Sequence, residues 1–187
     1  AHNGNLTNAR ALREELVASG AIFQSTSDTE VIIQLAARSR KTNSAERLLQ
    51  ALRQIEGAFA LVALTNDKLI GARDPLGIRP LVMGQLDDGV IFASETCALD
   101  MIGARFIREV EPGEAVIVSD NGIESRRYAP AEPARTCAFE YIYFARPDSV
   151  ISGRSVYEAR KRMGTRLAQE CPADIDVVVP VPDSGMT

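Results

Sequence analysis

The sequence predicts an α+β fold, in which helices come first along the chain and antiparallel strands follow them. Two observations support this class: apolar residues recur at helical spacing up to residue 55, and short apolar runs separated by turn signals occupy residues 58–125. A third observation sets off the end of the chain. Residues 129–134 have the alanine- and proline-rich composition of a linker, so we predict one domain at residues 1–130 and a second at residues 131–187.

Three amphipathic helices are predicted before the strands, each marked by an apolar face and by residues that start or stop a helix. Their signals are Gly20 after residues 8–19, a capping box of Ser27 and Glu30, and Asn43 with Glu46 before a helix that Gly57 closes. Asp28 then falls in the first turn of the second helix, where the helix dipole stabilises a carboxylate. Residues 21–24, between the first two helices, are predicted to form a short strand.

Antiparallel strands are predicted next. The continuous apolar run 58–64 indicates a strand buried on both faces. Turn signals then join strands in pairs, at 66–67 before 68–73, at 87–89 between 81–84 and 90–94, and at 120–122 between 115–118 and 123–125. Past the linker, a helix at 156–168 with a basic face that includes Arg160, and a buried parallel-type strand at 174–180, predict half of an open α/β sheet. Ligands of such sheets bind at the carboxyl ends of the strands.

Composition excludes several classes of function. The net charge of −4 and the pI of about 5.2 leave no basic field for nucleic acid or an anionic membrane. The three cysteines, Cys97, Cys137 and Cys171, are odd in number and far apart, which favours neither a disulfide framework nor a metal knuckle. No apolar run approaches the ~18 residues of a membrane-spanning helix. We therefore expect a cytoplasmic protein.

The candidate site lies at Asn3 and Gly4. The carboxamide NH2 of Asn3 and the N–H of Gly4, which no side chain hides, are two donors that could converge on one oxygen. Such a pair can form an oxyanion hole, which stabilises the charge that develops on a carbonyl oxygen under attack. The alternative is a plain reverse turn, which Asn-Gly also favours. Asp28 either faces this pair and binds the ammonium group of an amino-acid substrate, or only helps to start its helix.

Two other stretches are open to two interpretations. The charged loop 73–81 either fixes a crossover between strands or lines a pocket. We favour the structural role, because surface Arg–Asp pairs are common and weak. The loop 182–185 is either a simple turn or a ligand loop in which the Ser184 hydroxyl meets a hydrated Mg²⁺ carried by a phosphorylated substrate. The cysteines supply no nucleophile that the sequence supports, because the single histidine, His2, is near none of them in sequence.

Several stretches taken together resemble the glutaminase domain of the class II, N-terminal-nucleophile amidotransferases. They are residues 2–6 (HNGNL), 27–28 (SD), 57–60 (GAFA), 73–81 (RDPLGIRPL) and 93–95 (ASE). Two later stretches, 139–149 (FEYIYFARPDS) and 179–184 (VPVPDS), are similar to the amidophosphoribosyltransferase family. The resemblance runs along the whole chain in order.

This resemblance implies a four-layer αββα glutaminase domain of the Ntn-hydrolase type, incomplete here, followed by the start of an α/β phosphoribosyltransferase domain. It implies a glycosyltransferase of the pentosyltransferase kind, which makes 5-phosphoribosylamine from phosphoribosylpyrophosphate and glutamine in the first committed step of purine biosynthesis. The implied partners are glutamine, phosphoribosylpyrophosphate and, in the full-length protein, further copies of the chain.

The resemblance also implies roles for particular residues. Asn3 and Gly4 match the oxyanion hole of the family, and Asp28 matches the residue that holds the glutamine amino group. Phe139 and Tyr143 fall where the family lines an ammonia channel between its domains.

Two metal sites are implied in the same way. Ser184 aligns with a position that contacts the Mg²⁺ accompanying phosphoribosylpyrophosphate. Cys137 corresponds to one ligand of the 4Fe-4S cluster that some members carry and others lack.

The chain departs from the family pattern at both ends. It begins at Ala1, past the expected amino-terminal Cys nucleophile and the Arg-containing substrate loop, and it stops before the Asp-Asp substrate motif. We therefore expect an internal fragment and predict that this polypeptide alone releases no glutamate from glutamine.

Two alternatives remain at this point. An asparagine synthetase type of amidotransferase is favoured by residues 73–81 and disfavoured by residues 182–185. A non-catalytic assembly module is the alternative from a different class, and it would bind neither glutamine nor phosphoribosylpyrophosphate.

Overall fold

The computed structural model describes residues 1–130 and 132–187, which form ten strands, five α-helices and two shorter helical segments. The strands are β1 (His2–Leu6), β2 (Gly57–Leu64), β3 (Leu69–Arg73), β4 (Val82–Leu86), β5 (Gly89–Ala93), β6 (Arg105–Glu109), β7 (Glu114–Ser119), β8 (Gly122–Arg127), β9 (Val150–Ile151) and β10 (Arg154–Ser155). The helices are α1 (Ala9–Ala18), α2 (Thr29–Arg38), α3 (Ser44–Leu52), α4 (Thr96–Met101), α5 (Val156–Glu170), a π-helical segment (Glu140–Phe144) and a 3₁₀ turn (Ser184–Met186).

These elements separate into two compact units. The first unit contains Ala1–Leu81 and Val110–Arg135, and the second contains Val82–Glu109 and Thr136–Thr187. The domain boundary predicted between residues 130 and 131 falls at Ala131, which lies outside the described residues. That boundary stays a prediction.

The first unit is built on a five-stranded antiparallel sheet with the order β1-β2-β3-β7-β8. Its core joins Ile32 of α2 and Leu52 of α3 to Phe59 of β2 and Ile70 of β3. All four side chains are almost completely buried. Each contributes about 1.5–3 kcal/mol of apolar burial, so this contact holds the helices against the sheet.

The second unit contains a three-stranded antiparallel sheet with the order β5-β4-β6 and a small β9-β10 hairpin. Leu99 of α4 packs against Val82 of β4. A side chain at Gly84 would lie 2.7 Å from a methyl group of Leu99, so the helix approaches β4 closely only because residue 84 is glycine. Among residues 1–130 and 132–187, none of the helices combines the length and the apolar character that a membrane span requires.

The starts of the second and third helices test the capping signals. Asn43 caps α3 as predicted, and its side chain accepts a hydrogen bond from the Ala45 N–H at 2.9 Å. Asp28 is the N-cap of α2 and lies just before its first turn, so the predicted position was one residue too deep. The predicted capping box was also wrong, because the Glu30 carboxylate accepts from the Gln24 N–H at 2.7 Å and the Ser25 N–H at 2.8 Å.

The same contacts explain why the strand predicted at 21–24 was wrong. Backbone groups of this segment bind the side chains of Glu30 and Gln34 instead of a neighbouring strand, and Ile22 is 82 % exposed. Gly57 does not close α3 either, because α3 ends at Leu52 and Gly57 opens β2.

Three predictions about burial were wrong. The strand β2 is buried only in its middle, since Leu64 at its end is 81 % exposed. Residues 174–180 form no strand, since no strand in the described residues pairs with them, and their side chains are exposed. The basic face predicted for the helix at 156–168 does not include Arg160, which is buried and donates to the backbone oxygens of Tyr141 and Ala145, each at 2.7 Å.

Candidate functional site

Gly4 lies in the middle of β1, where only glycine fits. Its φ of +140° is one that L side chains rarely adopt, and a Cβ built on it would lie 2.0 Å from the Ala58 backbone oxygen. The Asn3-Gly4 pair is therefore part of a strand and not of a reverse turn, because β1 continues in register with β2 as far as Leu6.

The pairing of β1 with β2 sets the direction of the Gly4 N–H. Ala1 and Val62 exchange two hydrogen bonds, of 2.8 and 2.9 Å, at the start of the ladder. Because hydrogen-bonded and non-bonded pairs alternate along an antiparallel ladder, Gly4 and Phe59 are a non-bonded pair. The N–H of Gly4 thus points away from β2, and β1 is the edge strand, so this donor faces the open side of the sheet.

Asn3 presents the second donor. Its Oδ1 accepts a hydrogen bond from Nη2 of Arg79 at 2.9 Å. A guanidinium has donors only, so it must face the oxygen of the carboxamide and not the nitrogen. The NH2 group of Asn3 is therefore the end of the amide that remains to donate to another partner.

Asp28 is fixed at the same edge of β1. Its Oδ2 accepts from the Leu6 N–H at 3.0 Å, and Leu6 lies two residues beyond Gly4, so both N–H groups face the same side. Its Oδ1 lies 3.7 Å from Nδ1 of His2. The structure thus brings Gly4 and Asp28 to one edge of β1 in the first unit, and Asn3 precedes Gly4 on the same strand.

His2, the neighbour of Asn3 on β1, contacts both Asp28 and the start of α2. Its side chain is only 4 % exposed, and Nδ1 lies 2.8 Å from the Thr29 hydroxyl at the start of α2. Burial lowers the pKa of His2, an effect that the Asp28 carboxylate opposes and the nearby α-amine of Ala1 reinforces. The neutral imidazole is therefore the form that fits this position.

The loop 73–81 has the structural role that the sequence favoured. The buried Arg73 side chain donates to the backbone oxygens of Arg79 at 2.8 Å and Gly77 at 3.0 Å. The fully buried Asp74 carboxylate accepts from four backbone N–H groups, those of Phe59, Leu76, Ile78 and Arg79, at 3.0–3.2 Å.

Sequence reasoning missed the contact between Arg79 and Asn3. The sequence signalled it only by placing a second arginine in the loop 73–81.

Of the predicted channel residues, Phe139 directly precedes the π-helical segment of the second unit and Tyr143 lies within it. Phe139 and Tyr143 are both more than half exposed, and each ring centroid lies 5.9 Å from that of Phe144. Tyr143, Phe144 and Ser184 line one cavity of about 620 Å³, together with Arg146 and Asp183 among others. The structure therefore brings Tyr143 to the same cavity as Ser184, whereas Phe139 contacts the lining residue Phe144.

The described residues fit the two implied metal sites unequally. Ser184 is half-buried and follows Asp183, which suits a Mg²⁺ ion that keeps most of its waters.

A 4Fe-4S cluster needs four thiolates. Cys137 is half-buried, Cys97 is buried and Cys171 is exposed. Within the described part of the chain, no three His, Cys, Asp or Glu side chains form a metal-binding group. These residues alone do not make a cluster site.

Known proteins match this chain over almost its whole length. The amidophosphoribosyltransferase of Rhizobium etli is 58 % identical over 99 % of this chain. That of Staphylococcus epidermidis is 50 % identical and the chloroplastic one of Vigna aconitifolia 51 % identical, both over 100 % of the chain. The chain spans 38 % of the length of each of these relatives.

Solved structures match as well. The glutamine phosphoribosylpyrophosphate amidotransferase from B. subtilis, complexed with ADP and GMP, has a TM-score of 0.95 and 46 % identity, and the match covers 100 % of this chain and 41 % of that one. A structure described as the allosteric regulatory enzyme of purine biosynthesis also has a TM-score of 0.95 and 46 % identity, over 100 % of this chain and 40 % of that one. These matches, with the antiparallel sheets, confirm the predicted α+β glutaminase fold of the Ntn type.

The family model described as glutamine amidotransferase domain matches residues 1–101. Because this match covers more than half of the 187 residues, the chain belongs to the glutamine amidotransferase domain family.

Proposed function

We propose that this chain forms the glutamine-hydrolysing part, and the beginning of the transferase part, of an amidophosphoribosyltransferase. In this reaction, ammonia released from glutamine displaces pyrophosphate from phosphoribosylpyrophosphate and gives 5-phosphoribosylamine. Similarity to relatives of that name over the whole chain supports the proposal. A cytoplasmic location and assembly of the full-length protein into homo-oligomers are part of it.

The observation that carries the proposal is the pair of donors at Asn3 and Gly4. The nucleophile that attacks the glutamine carboxamide comes from outside the described residues. Its attack places negative charge on the amide oxygen, and two fixed donors stabilise that charge more than they stabilise the uncharged substrate. The Asn3 NH2 group, held by Arg79, and the Gly4 N–H at the strand edge supply those donors.

Asp28 gives the site its preference for an amino acid. A carboxylate that is 25 % exposed in its side chain, and already fixed through Oδ2, can pair with the α-ammonium group of glutamine. This contact sets the distance between the ammonium group and the amide, so it favours glutamine over ligands that lack the α-amino group.

On the transferase side, we propose that the Ser184 hydroxyl binds Mg²⁺ that arrives with phosphoribosylpyrophosphate. The ion would neutralise charge on the departing pyrophosphate. Phe139 and Tyr143 provide the apolar ring surfaces expected beside a path for ammonia.

The experiment compares two nitrogen sources in the full-length protein that contains this chain. Asn3→Ala should lower glutamine-dependent formation of phosphoribosylamine by about 10²–10³-fold, the usual cost of losing one oxyanion donor. Activity with ammonium chloride should be unchanged, because free ammonia bypasses the site. Asn66→Ala, in an exposed turn, is the matched control. Equal loss with both nitrogen sources would show that Asn3 is structural and would refute the proposal.

A further inference from the structure

Among the described residues, the Asn3 carboxamide accepts a 2.9 Å hydrogen bond at Oδ1 from Nη2 of Arg79. We propose that Arg79 is a positioning residue that keeps the Asn3 amide in the one orientation that presents its NH2 group to the substrate. This inference rests on the proposed function, since it assigns Arg79 a part in the same oxyanion site.

A carboxamide needs such support because its two ends are nearly equal in shape. Rotation by about 180° about the last side-chain bond exchanges the donor for the acceptor at little steric cost. The exchanged form would direct Oδ1 of Asn3 at the substrate oxygen and repel its developing negative charge. Arg79 excludes that form, because a guanidinium opposite the amide NH2 would place donor against donor.

Arg79 is itself fixed by two buried charged residues. Its backbone N–H donates to Oδ2 of Asp74 at 3.1 Å, and its backbone oxygen accepts from Nε of Arg73 at 2.8 Å. Both partners are almost fully buried, so the main chain at Arg79 has a defined position from which the guanidinium reaches Asn3. The loop 73–79 thus links the core of the first unit to the orientation of one amide.

The charge of Arg79 adds to this effect. A cation on Oδ1 draws electron density toward the oxygen and makes the N–H bonds of the same amide stronger donors. Lysine at this position would keep the charge but lose the planar fork, whereas methionine would keep the length and lose both. A comparison of arginine, lysine and methionine at position 79 therefore distinguishes the effect of the planar fork from the effects of charge and of packing.

The first measurement uses the 187-residue chain and does not depend on catalysis. The side-chain amide signals of Asn3 are assigned in ¹H–¹⁵N NMR spectra by their absence in Asn3→Asp. In Arg79→Met, these signals should move toward those of the exposed Asn66. They should stay in place in Arg10→Met, whose arginine is exposed and pairs with Glu14 on α1. Unchanged Asn3 signals in Arg79→Met would overturn the inference, whatever the function.

The second measurement is steady-state kinetics of the full-length protein. Arg79→Met should lower kcat for the glutamine-dependent reaction by about 10–100-fold, with KM for glutamine within about twofold and ammonia-dependent activity unchanged. Arg79→Lys should recover part of the lost kcat, and it tests the proposal if the methionine variant folds poorly. Unchanged kcat, or equal loss with both nitrogen sources, would overturn the inference. The proposed function fails separately, if Asn3→Ala keeps its glutamine-dependent activity.

Discussion

Asp74 and Phe59 are joined by hydrogen bonds in both directions. The Phe59 N–H donates to Oδ2 of Asp74 at 3.2 Å, and the Asp74 N–H donates to the Phe59 oxygen at 2.8 Å. This contact occupies both backbone groups of Phe59, which confirms that Phe59 bonds toward β3 and leaves Gly4 opposite it facing outward. The Asp74 carboxylate therefore binds Phe59 in the core of the first unit, and Phe59 in turn pairs with Gly4 on the edge strand.

Asp74→Ala should lower the free energy of unfolding by about 4 kcal/mol or more. Four backbone N–H groups, one of them buried and three partly buried, would lose their acceptor, and a buried donor left unsatisfied costs about 1–3 kcal/mol. Urea unfolding followed by circular dichroism measures the change. Asp67→Ala, which removes an exposed partner of Lys68, should leave the midpoint where it is. A similar midpoint for both variants would contradict the role given to Asp74.

Gly4→Ala should cost about 3 kcal/mol or more of stability, because it combines an unfavourable φ with a clash against β2. Gly20→Ala is the control: its φ is +87°, but nothing lies within 4 Å of the added Cβ, so it should cost only about 1–2 kcal/mol. Thermal unfolding of the two variants separates the clash from the backbone strain. Equal losses would mean that β1 can move away from β2.

Stability should fall as the pH decreases from about 7, because His2 is buried as the neutral imidazole. Its pKa in the folded chain lies below the ordinary value of 6.5, so the unfolded chain binds the proton more readily. The His2 contribution is complete above the unfolded-state pKa and is lost as the pH falls through the folded-state pKa. Since His2 is the only histidine, the melting temperature of His2→Asn should depend less on pH between 7.5 and 5.5. An unchanged dependence would contradict this assignment.

Cys97 should react with iodoacetamide far more slowly than the exposed Cys171. Burial raises the pKa of the Cys97 thiol, and the thiolate is the reactive form. Glu95 anchors the loop over this thiol: its Oε2 accepts from the Arg146 N–H and the Ser149 hydroxyl, both at 2.8 Å. Glu95→Ala should therefore accelerate labelling of Cys97, measured by mass spectrometry of peptides.

The control for that labelling is Glu14→Ala, which removes an exposed carboxylate on α1. It should leave the rate at Cys97 unchanged. If Glu95→Ala also leaves the rate unchanged, Glu95 does not hold the loop closed.

Local signals predicted those parts of the fold that depend on local chemistry. Asn43 identified the start of α3 because an N-cap needs only the backbone two residues away. The turn at 120–122 likewise identified the β7-β8 hairpin. Residues 174–180 misled the prediction because valine-rich sequence favours a strand only where another strand pairs with it.

The candidate site was predictable in its residue types and not in its geometry. Asn3, Gly4 and Asp28 could be proposed because an amide, a glycine and a carboxylate have known chemistry. The partner of Asn3 could not, since Arg79 is 76 residues away in sequence and only the folded loop brings it near. The sequence also favoured a turn at Asn-Gly, whereas the structure uses that glycine for close approach of two strands.

The hydrogen bond from the Val110 N–H to the Leu81 oxygen, 2.9 Å long, has a consequence for how this chain can vary. This bond joins the residues on either side of 82–109, so the chain leaves the first unit and returns to it at neighbouring positions. Those residues are topologically an insertion between β3 and β7, whose pairing needs nothing from them. Evolution could lengthen, shorten or replace that insertion while every strand of the five-stranded sheet kept its neighbours.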